Sequence, residues 1–119
     1  MCRAAADAQV PAWGMERAFF CVARTRDELS IVCAETCLPQ NRDGWLVEGG
    51  WVALKLEGPF PFSMAGVLAS FVQPLAEAGI PIFSISTFET DYVLIKNENL
   101  KHAVTALDAA GHQGVLEFN

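Results

Sequence analysis

The chain has 119 residues, of which 52% are hydrophobic and 18% charged, and its formal net charge is −6. This balance excludes a disordered chain and predicts one compact domain, or two very small ones that share a core. The eight Lys and Arg residues are scattered, so we expect no basic face for a nucleic acid or an anionic membrane. No apolar run reaches about 18 residues and the N-terminus does not resemble a signal peptide, which favours a cytoplasmic location.

The N-terminal part is predicted to contain a β-hairpin. Residues 18–24 and 29–34 are rich in β-branched and aromatic side chains, and a short charged connector joins them. Residues 1–4 are predicted to form a short edge strand. Residues 36–50 hold prolines, glycines, Asn and Asp, which is a loop composition. We therefore predict a first unit over residues 1–48 and a second over 49–119.

The second unit is predicted to alternate strands and helices in the order βαββαβ. The segments are residues 51–57, 63–78, 80–88, 91–96, 100–110 and 115–118. This order predicts an α+β, ferredoxin-like layout, with two helices on one face of an antiparallel sheet. Along residues 91–96, Val93 and Ile95 alternate with Tyr92 and Leu94, so the two pairs should lie on opposite faces.

The first helix of this unit has the clearest periodicity. Ser63 is its predicted N-cap and Gly79 its predicted end, whereas Pro74 should kink it near residue 70 or end it early. For the second helix, an asparagine at 97 or 99 is the predicted cap and Gly111 the predicted end. The apolar stripe of the first helix comprises Met64, Val67, Leu68, Phe71, Val72 and Leu75.

Two loops offer binding chemistry. The first, residues 57–66, leads into the first helix, where free backbone amides and the helix dipole suit a carboxylate beside Ser63 and Gly66. The second, residues 84–91, is rich in hydroxyl groups and ends at Asp91, which can pair with an ammonium or guanidinium group. Each loop also has an ordinary interpretation, a capped strand-to-helix turn and a polar hairpin tip.

No catalytic or metal-binding motif is visible, and no cofactor or metal is predicted. Cys33 and Cys37 have a spacing that could form half of a metal site, but the other two cysteines and the distant histidines do not complete it. Buried or incidental thiols are the favoured interpretation of the cysteines. A catalytic role is expected for neither His102 nor His112.

Four segments of the second unit together resemble an ACT domain. They are 51–60 (WVALKLEGPF), 66–70 (GVLAS), 74–80 (PLAEAGI) and 85–95 (ISTFETDYVLI). The closest resemblance is to the subfamily of CASTOR-type arginine sensors and small bacterial stand-alone ACT proteins. Residues 19–33 are similar to a degenerate first ACT repeat, so the chain should be an ACT module plus a degenerate N-terminal ACT-like half module.

The resemblance implies binding without catalysis. ACT domains hold amino acids where the loop into the first helix faces a strand end of a neighbouring module, and a site in this chain should therefore require a homodimer. The alternatives are an ACT module without a ligand that mediates dimerisation or protein interaction, and a small enzyme of ferredoxin-like fold. The ligand-binding residues that the resemblance implies are Phe62, Ser63, Gly66, Val67, Thr87, Phe88, Thr90 and Asp91.

Overall fold

The computed structural model describes residues 1–17, 19–56, 66–112 and 116–118, of whose terminal strand only the backbone is considered. The chain divides into two compact units, Met1–Gly49 and Gly50–Asn119. Each unit contains a four-stranded sheet in which all neighbouring strands are antiparallel. Within the described ranges, no helix is long and apolar enough to cross a membrane.

The first unit contains the predicted hairpin and two further strands. Its strands are β1 (Cys2–Ala4), β2 (Cys21–Arg24), β3 (Leu29–Val32) and β4 (Leu46–Val47), in the order β2-β3-β1-β4. The prediction of β1 as an edge strand is wrong, because β4 pairs along its outer side. A two-residue strand is too short to produce an alternating pattern, so the sequence of residues 36–50 predicts only a loop.

One face of this first sheet is buried, and a single helical turn packs on it. Alternate residues of the paired strands β1 and β3 form the buried face, and Leu29 and Ile31 are fully buried. The turns Ala12–Met15 and Glu35–Cys37 follow β1 and β3, where a ferredoxin-like unit would have its helices. A Cβ added at Gly14 would lie 3.1 Å from the side chain of Ile31, so this turn packs directly on the sheet.

The second unit has the predicted ferredoxin-like topology. Its elements are β5 (Trp51–Lys55), α1 (Val67–Glu77), β6 (Ile82–Ser86), β7 (Asp91–Lys96), α2 (Leu100–Ala109) and β8 (Leu116–Phe118). The strand order β6-β7-β5-β8 places the first and third strands of the βαββαβ motif at the centre of the sheet. Val93 and Ile95 are fully buried in the core, as their alternation with Tyr92 and Leu94 predicts.

Both helices of the second unit cover the same face of its sheet. Phe71 and Leu75 of α1 and Ala103 and Leu107 of α2 pack in one core cluster with side chains of β5 and β7. The predicted glycine ends are confirmed. Gly79 and Gly111 have φ of 73° and 91°, and each lets the amide of the next residue reach back to a carbonyl of the last helical turn.

Of the two effects predicted for Pro74, an early end of α1 is not observed, and the predicted N-cap of this helix lies outside the described residues. The helix does not end early at Pro74 but continues to Glu77. Gly66, with φ of 83°, takes the N-cap position, whereas the predicted cap Ser63 lies outside the described residues. For α2 the N-cap is Asn99, one of the two predicted residues, although its side chain makes no capping hydrogen bond.

Candidate functional site

A tight turn between β6 and β7 contains two of the predicted site residues, Thr87 and Thr90. They flank the tip, because Ser86 and Asp91 are register partners at its base. The Thr87 amide and hydroxyl both donate to the Thr90 carbonyl, at 2.8 Å and 3.0 Å, and Thr87 Oγ1 accepts the Thr90 amide at 3.2 Å. The Thr87 hydroxyl is thus committed to the turn as donor and acceptor, which is a common structural use of threonine.

Thr90 joins the hairpin to the end of β5. Its hydroxyl donates to the carbonyl oxygen of Leu56 at 2.7 Å, and the Leu56 amide donates to the Asp91 carbonyl at 2.9 Å. Leu56 is buried, so these bonds lie at the edge of the core. Residues 90 and 91 therefore adjoin the point where the chain leaves β5 towards α1.

Asp91 is the acidic residue at the base of the hairpin. It lies on the same face of β7 as Val93 and Ile95, which is the face that the helices cover. Its Oδ1 accepts a hydrogen bond from the Ser86 hydroxyl at 2.5 Å, which is the short, charge-assisted type. In the described part of the chain its second carboxylate oxygen has no hydrogen-bond partner. The site thus presents a half-buried acceptor held in one orientation.

The tip of the hairpin presents an aromatic ring and a second carboxylate. The Phe88 residue is 80% exposed and Glu89 next to it is exposed as well. An exposed aromatic side chain can cover an apolar part of a ligand or contact another protein. Phe88 is thus exposed at the tip of the hairpin, whereas Asp91 lies at its base.

The start of α1 supplies the other half of the predicted site. Gly66 is exposed at the N-cap, and its carbonyl accepts the amide of Ser70 as the first bond of the helix. Among the described residues, no side chain forms a capping hydrogen bond at this end. The amides of the first turn and the helix dipole favour an anionic group there. Val67 is the first residue of the helix, and the predicted contacts Phe62 and Ser63 lie outside the described residues.

The chemistry of these two groups suits the two ends of a zwitterion. A carboxylate acceptor at the hairpin base suits an ammonium or guanidinium group, and helix-terminal amides suit a carboxylate. Sequence reasoning missed Ser86 as the residue that orients Asp91. The available signal was the four-residue loop 87–90, which makes residues 86 and 91 partners if the strands pair up to the turn.

The other candidate chemistries receive no support from the described residues. No group of three or more His, Cys, Asp or Glu there could hold a metal ion. The four cysteines are free thiols, and burial, as the first cause, raises the pKa of Cys2 and raises that of Cys33 to about 11. A thiol that stays protonated is a weak nucleophile and metal ligand.

Comparisons with known proteins agree with this structure. A family model described as an ACT domain matches residues 46–109, and a second, described as an N-terminal domain, matches residues 1–41. The crystal structure of protein Atu0741 from Agobacterium tumefaciens is similar with a TM-score of 0.88 and 38% sequence identity, covering 99% of this chain and 86% of that chain.

Two relatives match over much of this chain. The CASTOR3P protein of Homo sapiens is 27% identical in an alignment 101 residues long that covers 76% of this chain and 62% of the relative. The cytosolic arginine sensor for mTORC1 subunit 1 of Bos taurus is 26% identical in an alignment 97 residues long that covers 75% of this chain and 30% of the relative. This chain therefore spans less than two thirds of the length of either protein.

The ferredoxin-like sheet, covered on one face by two helices, defines a small α+β module. The chain belongs to the ACT domain family, since the family model covers more than half of it. The resemblance drawn from the sequence is confirmed, including its CASTOR-type character. At the level of the family, this assigns a regulatory module of amino-acid-binding type.

Proposed function

We propose that this chain is a non-catalytic regulatory module that binds a free amino acid in its second unit and reports it through a homodimer in the cytoplasm. The observation that carries the proposal is the Asp91 carboxylate, which Ser86 orients on the helix-covered side of the sheet. Its neighbour Thr90 is bonded to the last residue before the connection to α1. A ligand bound beside Asp91 therefore lies at the second predicted loop and next to the end of β5.

In this arrangement the two ends of an amino acid meet groups of opposite charge. Asp91 accepts hydrogen bonds from an ammonium or guanidinium group, and the first amides of α1, after Gly66, donate to the carboxylate. Further contacts come from Phe62 and Ser63 on the first loop, from Val67 at the start of α1, and from Thr87 and Phe88 on the second loop. The bovine relative is named as an arginine sensor, so basic amino acids are the first ligands to test.

Ligand binding becomes regulation only if the ligand prefers one arrangement of the protein over another. A homodimer meets this condition when a neighbouring module completes the site, because the ligand then stabilises the pair. Size-exclusion chromatography with light scattering, with and without the stabilising amino acid, should show a ligand-dependent shift towards the dimer.

The decisive experiment is a thermal-shift screen of the twenty amino acids, followed by calorimetry on Asp91→Asn and Glu89→Gln. Both substitutions remove one negative charge from the same hairpin, but Glu89 is exposed at the tip and serves as the matched control. We expect at least one stabilising amino acid, with affinity reduced about 10-fold or more in Asp91→Asn and little changed in Glu89→Gln. No stabilisation by any amino acid at millimolar concentration would refute the proposal.

A second candidate function is pairing without a ligand. The exposed Phe88 ring favours it, because an aromatic side chain at a hairpin tip suits a contact with another protein. This alternative predicts a dimer whose stability no amino acid changes and which Phe88→Ser dissociates.

A further inference from the structure

The two units repeat the same sheet, strand by strand. The orders β2-β3-β1-β4 and β6-β7-β5-β8 are identical when each strand is replaced by its counterpart. In the first sheet Leu29 lies opposite Ala4, and in the second the Asp91 carbonyl binds the amide of Leu56. Leu29 therefore corresponds to Asp91, and Ala4, the last residue of β1, corresponds to Leu56.

The hairpins that carry these residues have the same internal bonds. In β2–β3 the Thr25 amide donates to the Glu28 carbonyl at 2.9 Å, and the Glu28 amide donates to Thr25 Oγ1 at 3.1 Å. Thr87 and Thr90 form the same pair of bonds in β6–β7. The two hairpins thus correspond residue by residue, and the difference in residue number between counterparts is the same throughout.

At two positions the first unit differs from the candidate site of the second. The counterpart of Asp91 is Leu29, which is fully buried and has no charge to offer a cation. The counterpart of Ser86 is Arg24, the last residue of β2. A small hydroxyl that orients a carboxylate is thus replaced by a long cationic side chain, and the carboxylate is absent from that position.

The guanidinium group of Arg24 is bound to the segment that follows β1. Its Nη1 donates to the carbonyl oxygen of Ala6, and its Nη2 donates to that of Ala8 at 2.7 Å. One planar guanidinium thereby bridges two carbonyl groups, a geometry that a single ammonium group does not reproduce. By position in the repeat, Ala6 and Ala8 are the counterparts of the connection from β5 to α1.

We propose that the carbonyl oxygens of Ala6 and Ala8 form a guanidinium site in the first unit and that Arg24 fills this site from within the chain. The first unit is thereby closed to external ligands at the position where the second unit binds one. Each chain then takes one amino acid rather than two. This last point rests on the proposed function, whereas the guanidinium site itself does not.

The test is chemical rescue of Arg24→Ala by methylguanidinium, with methylammonium as the ionic control. Loss of two hydrogen bonds should lower the midpoint of thermal unfolding by about 4 °C. Millimolar methylguanidinium should restore a measurable part of this loss, and methylammonium at the same concentration should not. Arg24→Lys, which keeps the charge but not the planar fork, should behave like Arg24→Ala and serves if the alanine variant fails to fold.

Arg26 provides the matched control, because it is exposed at the tip of the same hairpin and forms no hydrogen bond or ion pair with the described residues. Arg26→Ala should leave both the midpoint and the response to methylguanidinium as in the wild type. The proposal is overturned if Arg24→Ala unfolds at the wild-type temperature, or if the two cations shift its midpoint equally.

A double variant separates this inference from the proposed function. The rescue is repeated in Arg24→Ala combined with Asp91→Asn, in which the candidate site of the second unit is impaired. Rescue that persists there assigns methylguanidinium to the first unit, even if no amino acid binds the wild-type protein. Rescue that disappears would place the cation at Asp91 and overturn the proposal.

Discussion

The imidazole Nε2 of His112 lies 2.9 Å from the carbonyl oxygen of Ser70 on the neighbouring helix. In an uninterrupted helix this carbonyl accepts the amide of the residue four positions later, but that residue is Pro74, which has no amide hydrogen. Because a carbonyl only accepts, the His112 nitrogen must carry the proton. The imidazole ring also packs edge-on against the Phe71 ring, with the two ring centroids 5.3 Å apart. His112 therefore joins the end of α2 to the middle of α1.

We predict that His112→Ala lowers the free energy of unfolding by about 1 kcal/mol, since it removes this bond and the contact with Phe71. His112→Gln, whose amide can donate to the same carbonyl, should lose less. Urea unfolding measures both. Pro74→Ala restores a backbone donor to the helix, so His112→Ala should cost less in that background. An equal cost in both backgrounds would show that the histidine does not substitute for the missing amide.

The bond between Thr90 and Leu56 leads to a second prediction. Thr90→Val keeps the shape of the side chain but deprives the Leu56 carbonyl of its hydroxyl donor, which should cost about 1 kcal/mol of unfolding free energy. Thr90→Ser retains the donor and is the control. Hydrogen exchange at the Leu56 amide, which is bonded to the Asp91 carbonyl, should accelerate in the valine variant alone. Equal exchange in both variants would contradict the predicted link.

Because of the Cys33 thiol, we expect the stability of the chain to fall as the pH rises in the alkaline range. Burial first, and then the neighbouring thiols of Cys2 and Cys37, raise its pKa from 9.0 to about 11. The unfolded chain therefore releases this proton at lower pH than the folded chain does. The contribution to stability is complete below pH 9.0 and is lost as the pH rises from 9.0 through about 11.

Urea unfolding of the wild type and of Cys33→Ser across this pH range tests the prediction. The serine variant lacks the titrating thiol, so the difference in unfolding free energy between the two proteins should shift against the wild type as the pH rises. Other groups titrate in the same range but contribute to both proteins. Parallel curves would show that the Cys33 pKa is the same in the folded and unfolded chains.

Much of the second unit could be predicted from short-range patterns. The apolar spacing in α1 predicted the face that packs on the sheet, as Phe71 and Leu75 show. The glycines at 79 and 111 marked the helix ends, because few other residues adopt positive φ. The alternation in β7 placed Val93 and Ile95 in the core, and the order of elements predicted the ferredoxin-like sheet. Each of these features depends on neighbours within one or two turns of the chain.

Features that depend on distant residues could not be predicted in this way. The two-residue strand β4 forms only by pairing with β1, and because of this pairing β1 is an interior strand of the sheet and not an edge strand. Arg24 bonds to residues 16 and 18 positions away, Thr90 to one 34 positions away, and His112 to one 42 positions away. The sequence around a side chain does not reveal a hydrogen-bond partner that only chain folding brings within about 3 Å.

The sequence by itself thus determined the family, the α+β class, the helix ends and the acidic residue at the base of the hairpin. Only the tertiary structure decided that Ser86 orients Asp91, that Arg24 is bound within its own unit and that His112 supplies a donor beside Pro74. The physical reason is range: periodicity, caps and turns act along the chain, whereas these hydrogen bonds form only after strands and helices have packed.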